Sequence, residues 1–203
     1  MAEQQGVIHY QLDFAAGDAP DYARFALLNY WRCYLFRLGL IGQDPARYGG
    51  LGYGNISARL FPGSLPFLIS GTQTGHLPLL CRSHYVRVTA FDVMRNFLQA
   101  CGPVRPSSEA LTHASLYAAR DDIGCVMHVH SPLIWRRGPA LGVPCVDKAI
   151  GYGTPAMADA VRDLAQASAG SGVIVMRGHE DGVMIYGADE DATGEQVLAL
   201  LQD

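Results

Sequence analysis

The stretch Ile123-Gly124-Cys125-Val126-Met127-His128-Val129-His130 does most to decide the fold of this chain. It is apolar and partly β-branched, which predicts a buried strand. Side chains alternate between the two faces of a strand, so His128 and His130 project to the same side, close enough to bind one ion. The strand ends at Ser131-Pro132. Both histidines therefore lie at its carboxyl end, where α/β proteins tend to build their sites.

The histidine pair also has a simpler explanation, since two strand histidines can be a hydrogen-bonded core pair or part of an exposed polar face. A catalytic zinc site needs three protein ligands and an open position. A metal site here therefore requires a third histidine. His179, which follows the apolar run at residues 173–176, is the best candidate.

Composition limits the functional classes. The chain has 203 residues, 49% of them hydrophobic and 17% charged, which indicates one ordinary globular domain. Its net charge of −4 gives no electrostatic basis for binding nucleic acid or an anionic membrane, so neither is an expected partner. The single lysine, Lys148, lies outside every motif discussed below, which argues against Schiff-base catalysis.

Cysteine usage and the chain start predict the compartment. The five cysteines are scattered and contain no Cys-x-x-Cys pair, which is typical of reduced cytosolic thiols. The N-terminus shows no secretory signal, and the apolar runs are interrupted before they reach a membrane-spanning length. We therefore expect a cytoplasmic protein.

Hydrophobic periodicity predicts alternating helices and strands. Helices are expected at residues 22–38, 107–120, 155–167 and 191–201, and strands at 55–59, 66–70, 85–92, 123–130, 173–176 and 183–186. Residues 1–20 are expected to form an N-terminal arm with some strand character at 7–14. Alternation without a linker or repeat predicts one α/β domain over residues 21–203. The local pattern does not distinguish a parallel from an antiparallel sheet.

Three short segments could form an anion pocket. Gly54-Asn55 offers a flexible backbone and an amide, and Thr74-Gly75 offers a hydroxyl and a loop N–H. Ser107-Ser108 begins a predicted helix, where free N–H groups and the helix dipole favour a phosphate or carboxylate. Capping of that helix is the simpler role of the serines and is expected for one of the two. Glu109 follows them and would also suit the helix dipole.

Five motifs occur in order: Gly54-Asn55-Ile56-Ser57, Thr72-Gln73-Thr74-Gly75, Pro106-Ser107-Ser108-Glu109, His128-Val129-His130 and Gly178-His179. Together they resemble the class II aldolase/adducin family, and the resemblance extends from about Tyr22 to the end. It implies a single-domain, three-layer α/β/α sandwich with a mostly antiparallel mixed central sheet. It also implies three groups of site residues: Asn55, Thr74, Gly75, Ser107 and Ser108 for a substrate phosphate, Glu109 for catalytic proton transfer, and His128, His130 and His179 for Zn²⁺ or another divalent metal such as Mn²⁺ or Co²⁺.

The resemblance further implies a metal-dependent lyase that acts on a small phosphorylated sugar or oxo-acid through an enediolate. Aldol cleavage is the first expectation. Sugar-phosphate epimerases, dehydratases and decarboxylases use the same scaffold, and adducin head domains use it as a non-catalytic module. Retention of the glutamate and all three histidines favours an enzyme. Family analogy also implies a homo-oligomer, with a tetramer favoured.

The chain departs from the sugar-phosphate aldolases in the segment after His130, which is shorter here. Those enzymes take an acid tyrosine from this region of a neighbouring subunit. No tyrosine matches its position, and Tyr152 is nearby but displaced. Glu180 and Asp181 follow His179 and are expected to be exposed loop charges rather than hydrogen-bond partners of a metal ligand.

The remaining histidines have separate expectations. His113 lies four residues after Glu109 and is expected to bond from its helix to the sheet rather than to support Glu109. His76 follows the Thr74-Gly75 loop and could reach a substrate. His9 and His84 are expected to be structural or surface residues.

Overall fold

The computed structural model describes residues 8–202. Its helices are α1 (Phe25–Arg37), α2 (Ala110–Ala119), α3 (Pro132–Arg137), α4 (Pro155–Gln166) and α5 (Glu190–Gln202). Its strands are β1 (Gln11–Ala16), β2 (Gly42–Gln43), β3 (Gly52–Tyr53), β4 (Asn55–Arg59), β5 (Phe67–Ser70), β6 (Tyr85–Asp92), β7 (Phe97–Gly102), β8 (Cys125–His130), β9 (Cys145–Val146), β10 (Gly172–Met176) and β11 (Gly182–Gly187). No helix between residues 8 and 202 combines the length and the apolar composition that a bilayer crossing requires.

Within the described residues, nine strands form one sheet in the order β1-β7-β6-β5-β4-β8-β11-β10-β9. The pairs β1–β7 and β10–β9 are parallel, and the other neighbours are antiparallel. The prediction of a mostly antiparallel mixed sheet is therefore confirmed. Strand β8 lies in the interior of the sheet, between β4 and β11, and its six residues are all buried.

Helices cover both faces of this sheet. On β8, Met127 and Val129 pack into the core that contains Leu28 of α1 and Val197 of α5. Val126 packs into the opposite core, which contains residues of α2 and α4. The predicted three-layer sandwich is confirmed. Because side chains alternate along a strand, His128 and His130 share the face of Val126, toward α2 and α4.

The predicted helices and strands appear close to their expected bounds. Helix α1 begins at Phe25 rather than residue 22 because the preceding residues form a turn, in which the Phe25 N–H donates to the Tyr22 carbonyl at 3.1 Å. Trp31 and Leu35 of this helix are buried in the core. Leu38 lies just beyond the helix and is 43% exposed.

Helix α2 begins at Ala110 and not at Ser107. Ser107 and Ser108 form a turn before it, in which the Ala110 N–H donates to the Ser107 carbonyl at 3.0 Å. Glu109 occupies the N-cap position without a capping side-chain bond, so the predicted serine cap is wrong. The Ser107 hydroxyl instead accepts from the Glu109 N–H at 3.4 Å.

Several elements were not predicted. Strand β7 returns beside β6 with a register shift between Val88 and Ala90, and β9 is only two residues long. Helix α3 begins at Pro132, and the Ser131 hydroxyl caps it by accepting from the Ile134 N–H. Strand β1 lies within the region expected to be an arm and pairs with β7. Of the expected strand at 7–14, residue 7 lies outside the described part of the chain.

Candidate metal centre and anion pocket

A cavity of about 420 Å³ opens at the carboxyl end of β8. Segments distant in sequence line it: β4 and the residues before it, the loop after β5, the turn before α2, β8 itself, and the loops at residues 152 and 179. Every residue predicted for the site lines this cavity: Asn55, Thr74, Gly75, Ser107, Ser108, Glu109, His128, His130 and His179. The sheet thus brings five separate motifs to one place.

Three histidines converge on one point in the cavity. The Nε2 atoms of His128 and His130 lie 3.2 Å apart. The ring of His179 is centred 5.0 Å from that of His128 and 4.7 Å from that of His130. One nitrogen from each ring falls within 4.8 Å of the others, and all three residues are buried. Two nitrogens on one tetrahedral zinc ion are about 3.3 Å apart, so this arrangement fits a single divalent metal.

The sheet register explains how His179 reaches the other two. Antiparallel pairing of β8 with β11 places Gly182 opposite His130. The loop before β11 turns tightly, since the Gly182 N–H donates to the His179 carbonyl at 3.0 Å. A Cβ at residue 182 would lie 2.9 Å from Cγ of His179, so glycine leaves room for the imidazole.

Burial keeps the imidazoles neutral. It lowers the pKa of His128 to about 4 and the pKa values of His130 and His179 well below the usual value, and the neighbouring histidines lower the latter two further. Metal ligation requires an unprotonated imidazole nitrogen. The three side chains therefore carry the protonation state that a divalent cation needs at neutral pH.

Glu109 lines the same cavity and is 2% exposed. Its Oε2 accepts from the Thr112 hydroxyl at 2.9 Å, whereas Oε1 is buried and has no partner among the described residues. Burial raises the pKa of this carboxyl to about 7, against a smaller opposing effect of the Thr112 hydrogen bond. A carboxyl with a pKa near neutrality and one open oxygen can both accept and return a proton.

The anion-pocket segments depend on two close backbone approaches. Asn55 pairs opposite His128 in the sheet, and its buried Oδ1 has no partner within residues 8–202. Gly54 has φ +70°, and a Cβ there would lie 2.9 Å from the His128 carbonyl. A Cβ at Gly75 would lie 2.4 Å from the Gly42 carbonyl. Both positions therefore require glycine for steric reasons.

Thr74 contributes differently from the expectation. Its hydroxyl donates to the Gly71 carbonyl at 2.8 Å, so its only hydrogen is already used inside the loop. The other candidate donors to a ligand on the lining residues are the Gly75 N–H, the Asn55 amide and the serine hydroxyls. The Thr74 side chain shapes the loop that presents Gly75.

Sequence reasoning missed a hydrogen-bonded group beside His130. The Tyr48 hydroxyl donates to Oδ2 of Asp181 at 2.7 Å and accepts from the Arg47 guanidinium at 2.7 Å. The Tyr48 ring contacts the His130 ring edge-on, with ring centroids 4.6 Å apart. Asp181 is 8% exposed, so its expected role as an exposed loop charge is wrong, because it is committed to Tyr48. Nothing local in the sequence links positions 48 and 181.

Tyr152 is another residue that the motifs did not place in the cavity. Its ring stacks on that of His179, with centroids 4.5 Å apart and planes 25° apart. The His9 ring contacts the Tyr152 ring edge-on, with centroids 5.9 Å apart. His9, expected to be a structural or surface residue, therefore has a neighbour at the site. Only the tertiary fold brings residues 9, 152 and 179 together.

His113 and His76 also had predicted roles that the structure bears on. His113 Nδ1 is joined by a hydrogen bond of 2.7 Å to the Ser57 hydroxyl on β4, which confirms the predicted bond from helix to sheet. His76 is exposed and lines the cavity mouth. Its side chain remains a candidate for substrate contact.

The fold and the cavity define a class of protein: an α/β/α sandwich in which a three-histidine cluster and a buried glutamate line one cavity. Comparison with known sequences agrees with this class. Residues 46–135 match the family profile described as Class II Aldolase and Adducin N-terminal domain, and the resemblance seen in the sequence is confirmed.

Curated relatives include methylthioribulose-1-phosphate dehydratases. The chain is 39% identical to that of Stenotrophomonas maltophilia over 80 residues, which is 39% of this chain and 33% of the relative. It is 41% identical to that of Sorangium cellulosum over 78 residues, 38% of this chain and 34% of the relative. The match thus spans about a third of the length of these relatives.

Solved structures share the fold. The L-fuculose-1-phosphate aldolase of Thermus thermophilus aligns with a TM-score of 0.61 at 19% identity, covering 87% of this chain and 88% of that one. A sugar-phosphate aldolase of Thermotoga maritima aligns with a TM-score of 0.64 at 14% identity, covering 87% and 90%. At these identities the likeness establishes the architecture.

Proposed function

We propose that this chain is a divalent-metal-dependent lyase that acts on a small phosphorylated sugar or oxo-acid through an enediolate. One observation carries the proposal: three buried, neutral histidines and a carboxyl with a raised pKa line the same cavity as the Thr74-Gly75 loop and the Ser107-Ser108 turn. His128, His130 and His179 would hold the metal, with zinc the first candidate and Mn²⁺ or Co²⁺ as alternatives. When bound, the metal supplies Lewis-acid stabilisation of the enediolate oxygens.

Glu109 would carry the proton transfer. Its open Oε1 takes the proton from the carbon next to the substrate carbonyl, and burial favours the protonated carboxyl that results. Asn55, Gly75, Ser107 and Ser108 bind the phosphate and so fix which carbon faces the carboxyl.

Proton transfer at carbon enters the two candidate reactions at different points. In dehydration, the carbon next to the carbonyl first loses its proton, and the hydroxyl on the carbon beyond the enediolate then leaves and takes up a proton as water. In aldol cleavage, the β-hydroxyl loses its proton, the bond between the α- and β-carbons breaks to give an aldehyde and an enediolate, and the enediolate then takes up a proton at carbon to give the second carbonyl fragment. The dehydratase relatives favour the first, and the fold shared with sugar-phosphate aldolases is compatible with the second. Incubating the metal-loaded protein with ketose phosphates and identifying products by mass spectrometry separates them, because dehydration keeps the carbon skeleton intact.

A non-catalytic, adducin-like module is the alternative of another class. Such a module would hold no metal, so replacing the histidines would not change the metal content of the protein. Metal content of the purified protein, measured by inductively coupled plasma mass spectrometry, decides between the two. We expect one divalent ion per chain, lost in the His128→Ala, His179→Ala double variant and retained in His84→Ala, which alters a partly buried histidine that does not line the cavity. Full metal content in the double variant would contradict the metal site.

A further inference from the structure

The proposed anion pocket has an electrostatic gap. A phosphate ester carries up to two negative charges, yet no lysine or arginine stands among the described residues that line the cavity. The three cavity histidines that would hold the metal are neutral and occupied by that role. Within the described part of the chain, the positive charge that favours a dianion can therefore come from the metal or from behind the cavity wall.

Arg32 lies behind that wall. It belongs to α1 and is 1% exposed. Its guanidinium donates to the Thr74 carbonyl at 3.0 Å and to the Leu77 carbonyl. Within residues 8–202 no carboxylate lies within 4.0 Å of it. A buried cation without an anionic partner is costly, so the charge of Arg32 is free to stabilise an anion bound on the other side of the loop.

The hydrogen bond to Thr74 connects Arg32 directly to the pocket. The Thr74 carbonyl and the Gly75 N–H belong to the same planar peptide group. A cation that binds the carbonyl oxygen withdraws electron density from the whole amide and strengthens its N–H as a donor. Gly75 lines the cavity, in the loop proposed to bind the anion. The charge of Arg32 can thus act on a bound anion through one peptide group, without touching it.

We propose that Arg32 supplies the positive charge of the anion pocket through the Thr74–Gly75 peptide group. Arg32 would be a positioning residue that selects a phosphate dianion over a neutral group at this end of the substrate. This inference rests on the proposed function, because it needs the phosphate to bind at Gly75.

The chain offers a matched control in Arg59. This arginine is 5% exposed, donates to the main-chain carbonyls of Ile123 and Tyr117, and has no carboxylate within 4.0 Å in the described part of the chain. It does not line the cavity. Arg59→Gln therefore removes a similar buried cation and similar hydrogen bonds at a distance from the anion loop.

The test is calorimetric titration of the metal-loaded protein with inorganic phosphate, with folding checked by circular dichroism. We expect Arg32→Gln to weaken phosphate binding at least tenfold, Arg32→Lys to keep affinity within threefold because the charge remains, and Arg59→Gln to keep it within twofold. An unchanged affinity in folded Arg32→Gln, or an equal loss in Arg59→Gln, would overturn the inference. If Arg32→Gln does not fold, a tenfold loss in folded Arg32→Lys overturns it. Wild-type protein that binds metal but no phosphate would instead refute the proposed phosphate site.

Discussion

At the scale of single residues, burial moves two kinds of side chain in the directions that a metal-assisted proton transfer needs. It raises the pKa of the Glu109 carboxyl to about 7 and lowers the pKa of His128 to about 4. In both cases the cavity disfavours the charged form. The imidazoles stay free to bind a cation, and the carboxyl stays able to take up and return a proton at neutral pH.

Replacing Glu109 by Gln tests the proton-transfer role. Gln keeps the size and hydrogen bonding of the side chain and removes the base. We expect Glu109→Gln to bind metal and phosphate as the wild type does, yet to lose exchange of the substrate's acidic C–H proton with deuterium, measured by NMR. Exchange at the wild-type rate would mean that another cavity residue carries the proton, with His76 the next candidate.

The same substitution should change how stability depends on pH. The folded-state pKa of Glu109 is raised from its usual 4.5 to about 7. The contribution of this carboxyl to the free energy of unfolding is therefore fully present below pH 4.5 and is lost as the pH rises through about 7. The loss amounts to about 3 kcal/mol at 1.36 kcal/mol per pKa unit. In metal-free protein, the free energy of unfolding of Glu109→Gln minus that of wild type should rise by this amount between about pH 4 and pH 8. A flat difference in urea denaturation would show that Glu109 is not buried as described.

At the scale of elements, two loops that lie far apart in sequence are locked beside the histidines. Tyr48 and Asp181 both have positive φ, at +48° and +60°, which is unfavourable for a tyrosine. Their side chains are hydrogen-bonded to each other, and the Asp181 carbonyl accepts from the Ser131 N–H at 2.9 Å. The loop that carries His179 is thereby tied to the strand end that carries His130.

The hydrogen bond between Tyr48 and Asp181 predicts a loss of metal affinity when the Tyr48 hydroxyl is removed. Tyr48→Phe keeps the ring against His130 and deletes the bond to Asp181. We expect about a tenfold weaker binding of zinc, in the range typical for residues that orient metal ligands. Competition with a chromogenic chelator measures it, and Tyr30→Phe, which alters an exposed tyrosine on α1, is the control. Equal zinc affinities in the two variants would show that the histidine ligands are oriented without the Tyr48–Asp181 hydrogen bond.

At the scale of the whole molecule, the sheet is a frame that gathers residues from positions 54 to 179 into one cavity. The first helix has its main apolar residues, Trp31 and Leu35, in the protomer's own core, and leaves Tyr30 57% exposed. Family analogy gives the prediction of a homotetramer. Multi-angle light scattering at micromolar concentration should therefore report four times the 21.9 kDa chain mass. A monomer mass would contradict it.

The sequence by itself predicted most of the helices and strands and the side chains proposed to carry the chemistry. Alternation on β8 put His128 and His130 on one face, and glycine and serine motifs marked the proposed anion loops, because these signals depend on residues adjacent in the chain. The position of β7, the parallel edge pairs and the start of α2 depended on packing between distant segments, so local patterns missed them.

Only the tertiary structure decided what surrounds those side chains. It placed Tyr48, Asp181 and Tyr152 against the histidines and the Arg32 guanidinium under Thr74, contacts that span up to 133 positions in the chain. It also set the burial that shifts the pKa of Glu109 and of the imidazoles. Burial and long-range contact are properties of the folded molecule, because solvent exclusion arises only when the layers pack together.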